Sequence, residues 1–170
     1  IVGDRIKRSE NIIFKLSYFA HKIITFIFTG RSIKFGNYTC LPKSTVEKMI
    51  NNKSTWNSFS GSLSKIEKVK VSSASIRGVR YFGPSKMSFY NLIKHSLSII
   101  SVFKFSVLLR SILFSLVYIY VVSKNITYIT LLPLILVAIL FLSIFMFSFR
   151  ENLENLKNSQ KNIKNIETIK

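Results

Sequence analysis

The sequence predicts an α+β, strongly basic region at a membrane surface, followed by a two-helix transmembrane hairpin. Three observations predict this. The first is charge: 25 Lys+Arg stand against 7 Asp+Glu, a net of +18, in a chain that is 48% hydrophobic. That imbalance points to a polyanionic partner, and the apolar content points to lipid rather than to a soluble nucleic-acid binder. The second is a pair of apolar runs. Residues 105–123 carry one charge, Arg110, and residues 126–149 carry none. About 20 such residues span a bilayer core. The third is the mixture upstream, where short alternating segments are interleaved with short helical patterns and turn residues.

In chain order, Ile1-Val2 is read as the end of a strand, and Gly3-Asp4-Arg5 as the turn that follows it. Arg5, Lys7 and Arg8 then form either a solvated basic loop or a phosphate contact at the carboxyl end of a strand. Ser9 can cap a helix over 11–29, with Ile12, Leu16, Phe19, Ile23 and Ile27 at helical spacing and Gly30 as its stop. Its bulky aromatics and basic face suit either the bilayer interface or a partner domain. Residues 32–41 read as a strand interrupted by Gly36-Asn37 and ended by Pro42. Ser44-Thr-Val-Glu47 fits a capping box, starting a short helix that packs Val46, Met49 and Ile50 inward. A second short helix covers 56–63, with Trp56 as an anchor. Residues 65–76 read as a strand near a sheet edge, where Lys68 and Lys70 discourage aggregation.

After Lys86 the period turns helical. Phe89, Leu92, Ile93, Leu97, Ile100 and Phe103 share one face, and Asn91, Lys94, His95 and Ser98 the other. This predicts an interfacial amphipathic helix over 87–104. Arg110 sits near the start of the first span, where a long side chain can snorkel to the head groups. Pro133 can kink the second span without forbidding it. Residues 1–104 hold 18 Lys+Arg and 4 Asp+Glu, while the hairpin turn offers only Lys124. The positive-inside rule therefore predicts an integral protein of the cytoplasmic membrane with both termini in the cytoplasm. Residues 150–170 read as a polar tail, fraying or disordered.

The chemistry-bearing residues are few. Cys40 stands alone, so no internal disulfide forms, and His21 and His95 are far apart in sequence. No phosphate-binding loop of the Walker type and no Ser/His/Asp arrangement is present. Upstream of the spans only Asp4, Glu10, Glu47 and Glu67 carry carboxylates, and no two are spaced to hold Mg²⁺. What remains is an anion-binding inventory in Arg77-Gly-Val-Arg-Tyr-Phe-Gly-Pro-Ser-Lys86. Arg80 supplies a fork of donors, Ser85 a hydroxyl, and Lys86 a point charge at the start of the next helix. Gly83 allows close backbone approach. The same residues also suit a juxtamembrane segment that binds anionic lipid without specificity.

Arg80-Tyr-Phe-Gly83-Pro-Ser85-Lys86 resembles the R-x-x-G-x-S-K motif in the C-terminal part of family 2 glycosyltransferases, in the branch of polyprenyl- and dolichyl-phosphate sugar synthases. Gly3-Asp4-Arg5 resembles the strand-end G-x-R of the same fold, and Phe35 to Lys43 its acceptor-side strand and helix. The resemblance implies residues 1–86 as the acceptor side of a GT-A, Rossmann-like domain, then an interfacial helix, the hairpin and a polar cytoplasmic tail. It implies that Arg5, Arg80, Ser85 and Lys86 contact donor or acceptor phosphates. It further implies a nucleotide sugar and a phosphorylated lipid or saccharide acceptor as partners, and Mg²⁺ or Mn²⁺ in the complete enzyme. No acidic D-x-D motif precedes Arg5, so the metal and donor half is expected in a preceding portion outside this chain, which alone holds no cofactor and is not expected to be active. The competing expectations are a small non-enzymatic basic membrane protein and, on charge alone, a nucleic-acid binder, which two membrane spans argue against.

Overall fold

The computed structural model describes residues 1–7, 12–33, 35–76 and 88–159. Among these the protein is mainly helical, with one small mixed sheet and two long apolar helices. The sheet has three strands, β1 (Val2–Lys7), β2 (Phe35–Thr39) and β3 (Ser72–Ile76), in the order β2-β1-β3. β1 is antiparallel to β2 and parallel to β3. The expected turn at Gly3-Asp4-Arg5 is therefore strand. These residues lie in the central strand, where neighbours on both sides take up the backbone donors and acceptors. A Cβ at Gly3 would stand 3.4 Å from both Cβ and O of Tyr38, an ordinary contact, so the pairing there does not demand glycine. The register with β2 shifts between Val2 and Asp4. The predicted edge position of the third strand holds among the described residues, though β3 is shorter than the alternation suggested.

Helix α1 (Ile12–Thr29) follows β1 and ends at Gly30, whose φ of 68° lies in the left-handed region that glycine tolerates best. The four-residue signal at Ser44 does not act as a capping box. Helix α2 (Lys43–Ile50) starts earlier, with Pro42 at its N-cap, so Ser44 is already inside the first turn. Glu47 instead lies near Lys43, and Thr45 donates to Glu67 Oε1 at 2.8 Å. The inward face is Thr45 and Met49, while Val46 and Ile50 are exposed. The helix expected over 56–63 is two helices, α3 (Ser54–Asn57) and α4 (Phe59–Ile66). Ser58 breaks them apart and caps the second, accepting from Gly61 N. Trp56 is 44% exposed and anchors no core. Val2, Met49 and Leu63 form the core under the sheet, with Leu41, Phe59 and Ile66 around them.

Helix α5 (Phe89–Ser101) is capped by Ser88, which accepts from Asn91 N. The anticipated division of its faces fails in its last turn. Ser98 and Ser101 are buried with Ile99 and Ile100, while Phe89 and Ile93 are exposed. The cause is α4. Gly61 there brings the backbone so close that an added Cβ would meet Ile99 O and Val102 Cγ2 at 3.0 Å. Small serines fit such an approach; a stripe of large residues does not.

After a corner at Val102-Phe103 come α6 (Lys104–Val122) and α7 (Tyr128–Ser148). Both are long and apolar enough to cross a membrane. They match the expected spans to within two residues, and Pro133 is accommodated inside α7. Thr127 caps α7 through a reciprocal pair with Thr130. Ile100, Val107 and Ile144 pack where α5, α6 and α7 meet, joined by Phe28 of α1. The tail, expected to be a fraying helix or disordered, begins with a short helix, α8 (Leu153–Asn158), capped by Asn152.

Candidate anion-binding site at the membrane boundary

Of the four residues expected to contact phosphate, Arg80, Ser85 and Lys86 lie outside the described residues. Arg5 is described through its backbone. It sits in β1 directly opposite Ser75 of β3, and Lys7 is opposite Ile76. Because β1 and β3 run parallel, their carboxyl ends share one edge of the sheet. The chain leaves β3 at that edge and next appears at Ser88, the N-cap of α5. Thus the segment 77–87 is joined at one end to the strand end beside Arg5 and at the other to a helix N-terminus. Carboxyl ends of parallel strands are where open α/β sheets bind ligands.

The structure adds a set of polar contacts that ties this sheet unit to the apolar helices. Glu151, directly after α7, is 3% exposed at its side chain. Its Oε2 pairs with Lys104 Nζ at 3.1 Å and with Lys53 Nζ at 3.8 Å, and its Oε1 accepts from Ser54 Oγ at 3.1 Å. Arg150 Nη1 donates to Ser98 Oγ at 3.3 Å. Asn57 Nδ2 donates to Ser101 Oγ at 2.7 Å and to Phe147 O at 3.0 Å. Lys65 Nζ donates to Val102 O at 3.2 Å, occupying a carbonyl at the α5–α6 corner. A buried carboxylate is tolerated only when paired and hydrogen-bonded, which Glu151 is. Sequence reasoning placed Glu151 in a solvated tail and missed this. The available signal was that Glu151 ends an acid-free run from Lys68 to Arg150.

Comparison with protein-family models, with curated proteins and with solved structures finds no match to this chain.

The two histidines, distant in sequence, are brought together by α1 and α5. Burial, and secondarily the charge of His95, lowers the pKa of His21 from 6.5 to about 4. His21 Nδ1 and Thr25 Oγ1 share a hydrogen bond at 3.2 Å. His95 is also lowered by desolvation, although one side of it opens to solvent. Arg110 does not reach away from the protein. Its Nη1 donates to Ile27 O at 2.9 Å, and the guanidinium lies against Gly30.

Among the described residues no group of three His, Cys, Asp or Glu side chains could hold a metal ion. Glu47 pairs with Lys43, Glu67 accepts from Thr45, and Glu151 is enclosed by lysines. An open groove of about 560 Å³ is lined by Lys48, Asn51, Asn52, Lys53, Ile66 and Leu153. Its lysines are engaged by Glu67 and Glu151, which leaves it a poor competitor for phosphate.

Proposed function

We propose that this chain is the acceptor-side, membrane-anchoring portion of a family 2 glycosyltransferase. In this reading it helps transfer a sugar from a nucleotide sugar to a lipid-phosphate or saccharide acceptor at the cytoplasmic membrane face. One observation carries the reading. In the parallel register of β1 and β3, Arg5 stands opposite Ser75, two residues before the Arg77–Lys86 segment begins, and two helices long and apolar enough to cross a membrane follow α5. In the transfer, the acceptor oxygen bonds to the anomeric carbon as the bond to the nucleotide diphosphate breaks. Negative charge gathers on the departing diphosphate, and an acceptor phosphate brings its own. Arg5 and Arg80 would hold phosphate oxygens with paired N–H donors, Ser85 would donate its hydroxyl, and Lys86 would neutralise charge at longer range. Preorganised cations of this kind are often the largest electrostatic contribution to such a step. The donor sugar and any divalent ion would be held by a GT-A half that these residues do not supply. The excess of Lys and Arg in residues 1–104 over the single Lys124 of the turn supports termini on the cytoplasmic side.

The test uses the full chain in membranes together with the product of the coding sequence directly upstream. Transfer of labelled sugar from a panel of nucleotide sugars to polyprenyl phosphate is measured. Arg80→Lys should reduce transfer at least about tenfold, since Lys keeps the charge but loses the paired donors. Binding to anionic vesicles should stay unchanged. No sugar-nucleotide domain with an acidic pair upstream, or transfer indifferent to Arg80→Lys, would overturn the proposal. Vesicle binding that merely scales with charge, with no transfer, would favour the non-enzymatic lipid-binding protein.

A further inference from the structure

Helix α1 is amphipathic in an unusual sense. Its buried residues are polar: Thr25 and Thr29 are 1% and 6% exposed and face the other helices. Its apolar residues face out. Ile12, Leu16, Phe19, Ile23, Phe26 and Ile27 are between 42% and 69% exposed. Phe28 alone among its described large residues is identified with an internal cluster. An uncovered surface of this size on one helix calls for an occupant.

The C-terminal turn of α1 says which occupant. It packs on α6, and Arg110 Nη1 donates to Ile27 O. Arg110 is six residues beyond the start of α6, about 9 Å along its axis. In a hydrocarbon environment the last carbonyls of a helix have no water to accept from, and each unmet group is costly. Two of the last four are met here: Gly30 N donates to Phe26 O and Arg110 to Ile27 O, while Thr29 Oγ1 donates one turn back to Thr25 O. The guanidinium also places positive charge at the negative end of the helix. On α6, Leu109 and Leu113, next to Arg110 and one turn on, are exposed as well, so the helix that α1 packs on also turns large apolar residues outward. Lys22, over the Tyr18 ring at 5.3 Å, keeps a cation on the other side of α1.

We infer that α1 lies immersed in the same bilayer leaflet that α6 enters, its outward face in contact with acyl chains, and that Arg110 sets the depth of its C-terminal end. Arg110 acts as a cap for a half-sunken helix and not as a snorkelling anchor. The inference stands independently of the sugar-transfer reading.

The experiment replaces the sole tryptophan, Trp56→Phe, and introduces single tryptophans by Phe19→Trp, Phe26→Trp, Leu116→Trp or Val69→Trp in the full chain. Each protein is reconstituted in vesicles of phosphatidylcholine and phosphatidylglycerol with bromine on the acyl chains. Quenching at 19 and 26 should approach that at 116, inside α6, and exceed that at the 88% exposed position 69 at least about twofold. Quenching at 19 and 26 equal to that at 69 would overturn the inference and assign the face to a protein partner. This arm leaves Arg110 intact, and the value at 116 reports in each case whether the hairpin has inserted. With Arg110→Leu added, quenching should fall at 26 more than at 19, with 116 unchanged as the control for an intact hairpin. An unaltered value at 26 would overturn the role of Arg110 in setting depth.

Discussion

Helices α1 and α5 carry much the same message in sequence and meet opposite fates. Both present large apolar residues at helical spacing beside a basic face. Yet α5 buries Ile99 and Ile100 together with Ser98 and Ser101, whereas α1 buries Thr25 and Thr29 and turns its aliphatic residues outward. The difference lies in the neighbours. α5 ends against α4, α6 and α7, so its last turn is enclosed, whatever its side chains. α1 is touched mainly along one line by α5 and α6. Periodicity identifies a stripe but cannot say which side of it the protein occupies. That holds most strongly where lipid offers an apolar surface as good as a core.

The largest effect should come from the contact that locks the end of α5. Replacing Glu151 by Gln leaves Lys104 facing a neutral partner and should cost about 3 kcal/mol. That is the low end for breaking a buried pair, because Lys104 keeps some solvent. Unfolding by denaturant in micelles reads it; a cost under about 1 kcal/mol would mean that the node is incidental. Next is Gly61→Val, which drives a side chain into Ile99 O and Val102. Overpacking should cost roughly 1–3 kcal/mol and separate α4 from α5, which disulfide trapping between paired cysteines would detect. A Gly61 variant as stable as the parent would remove close packing as the reason that α5 buries serines.

On the α1 side, Gly30→Ala forces an L-residue to φ 68° and crowds Arg110. Its cost should be about 1–2 kcal/mol, confined to faster amide exchange in the last turn of α1. Exchange spread equally over α5 would contradict the separation of the two helices. His21 gives a subtler probe. Its folded pKa is about 4 against 6.5 when unfolded, so the unfolded chain binds more protons between those values. Stability is fully present above pH 6.5, falls as pH drops toward 4, and levels below. His21→Gln should flatten that slope; an unchanged slope would assign it elsewhere. The smallest effect should follow Glu47→Gln, outside both helices, where an exposed pair with Lys43 contributes under about 0.5 kcal/mol.

Much of the fold was legible because it rests on composition. Two long apolar runs, one with a single charge and one with none, read as long helices, and α6 and α7 follow them closely. β2 and β3 were legible as strands, but β1 was read only as a strand end at Ile1-Val2, and the strand order was not legible, since pairing is a matter of tertiary register. For that reason Gly3-Asp4-Arg5 looked like a turn and proved to be the middle of a sheet. Local rules failed where a stronger local rule intervened. Pro42 starts α2 early and strips Ser44 of its capping position. Of the candidate site, the placement of Arg5 beside the strand that leads into 77–86 emerges from that same register. Glu151 and Arg110 were read from their surroundings in sequence as a solvated acid and a snorkelling base. Their partners are 97 and 83 residues away, and no window along the chain contains both ends of such a bond.

The corner between α5 and α6 has a mechanical consequence. Its carbonyl at Val102 is held by Lys65 from α4, and Lys104 just past it is gripped by Glu151 from the far end of the hairpin. An elbow pinned on both arms cannot swing on its own. Any tilt of α6 and α7 at this corner must drag α4 along, and with it the core under the sheet that Leu63 of α4 joins.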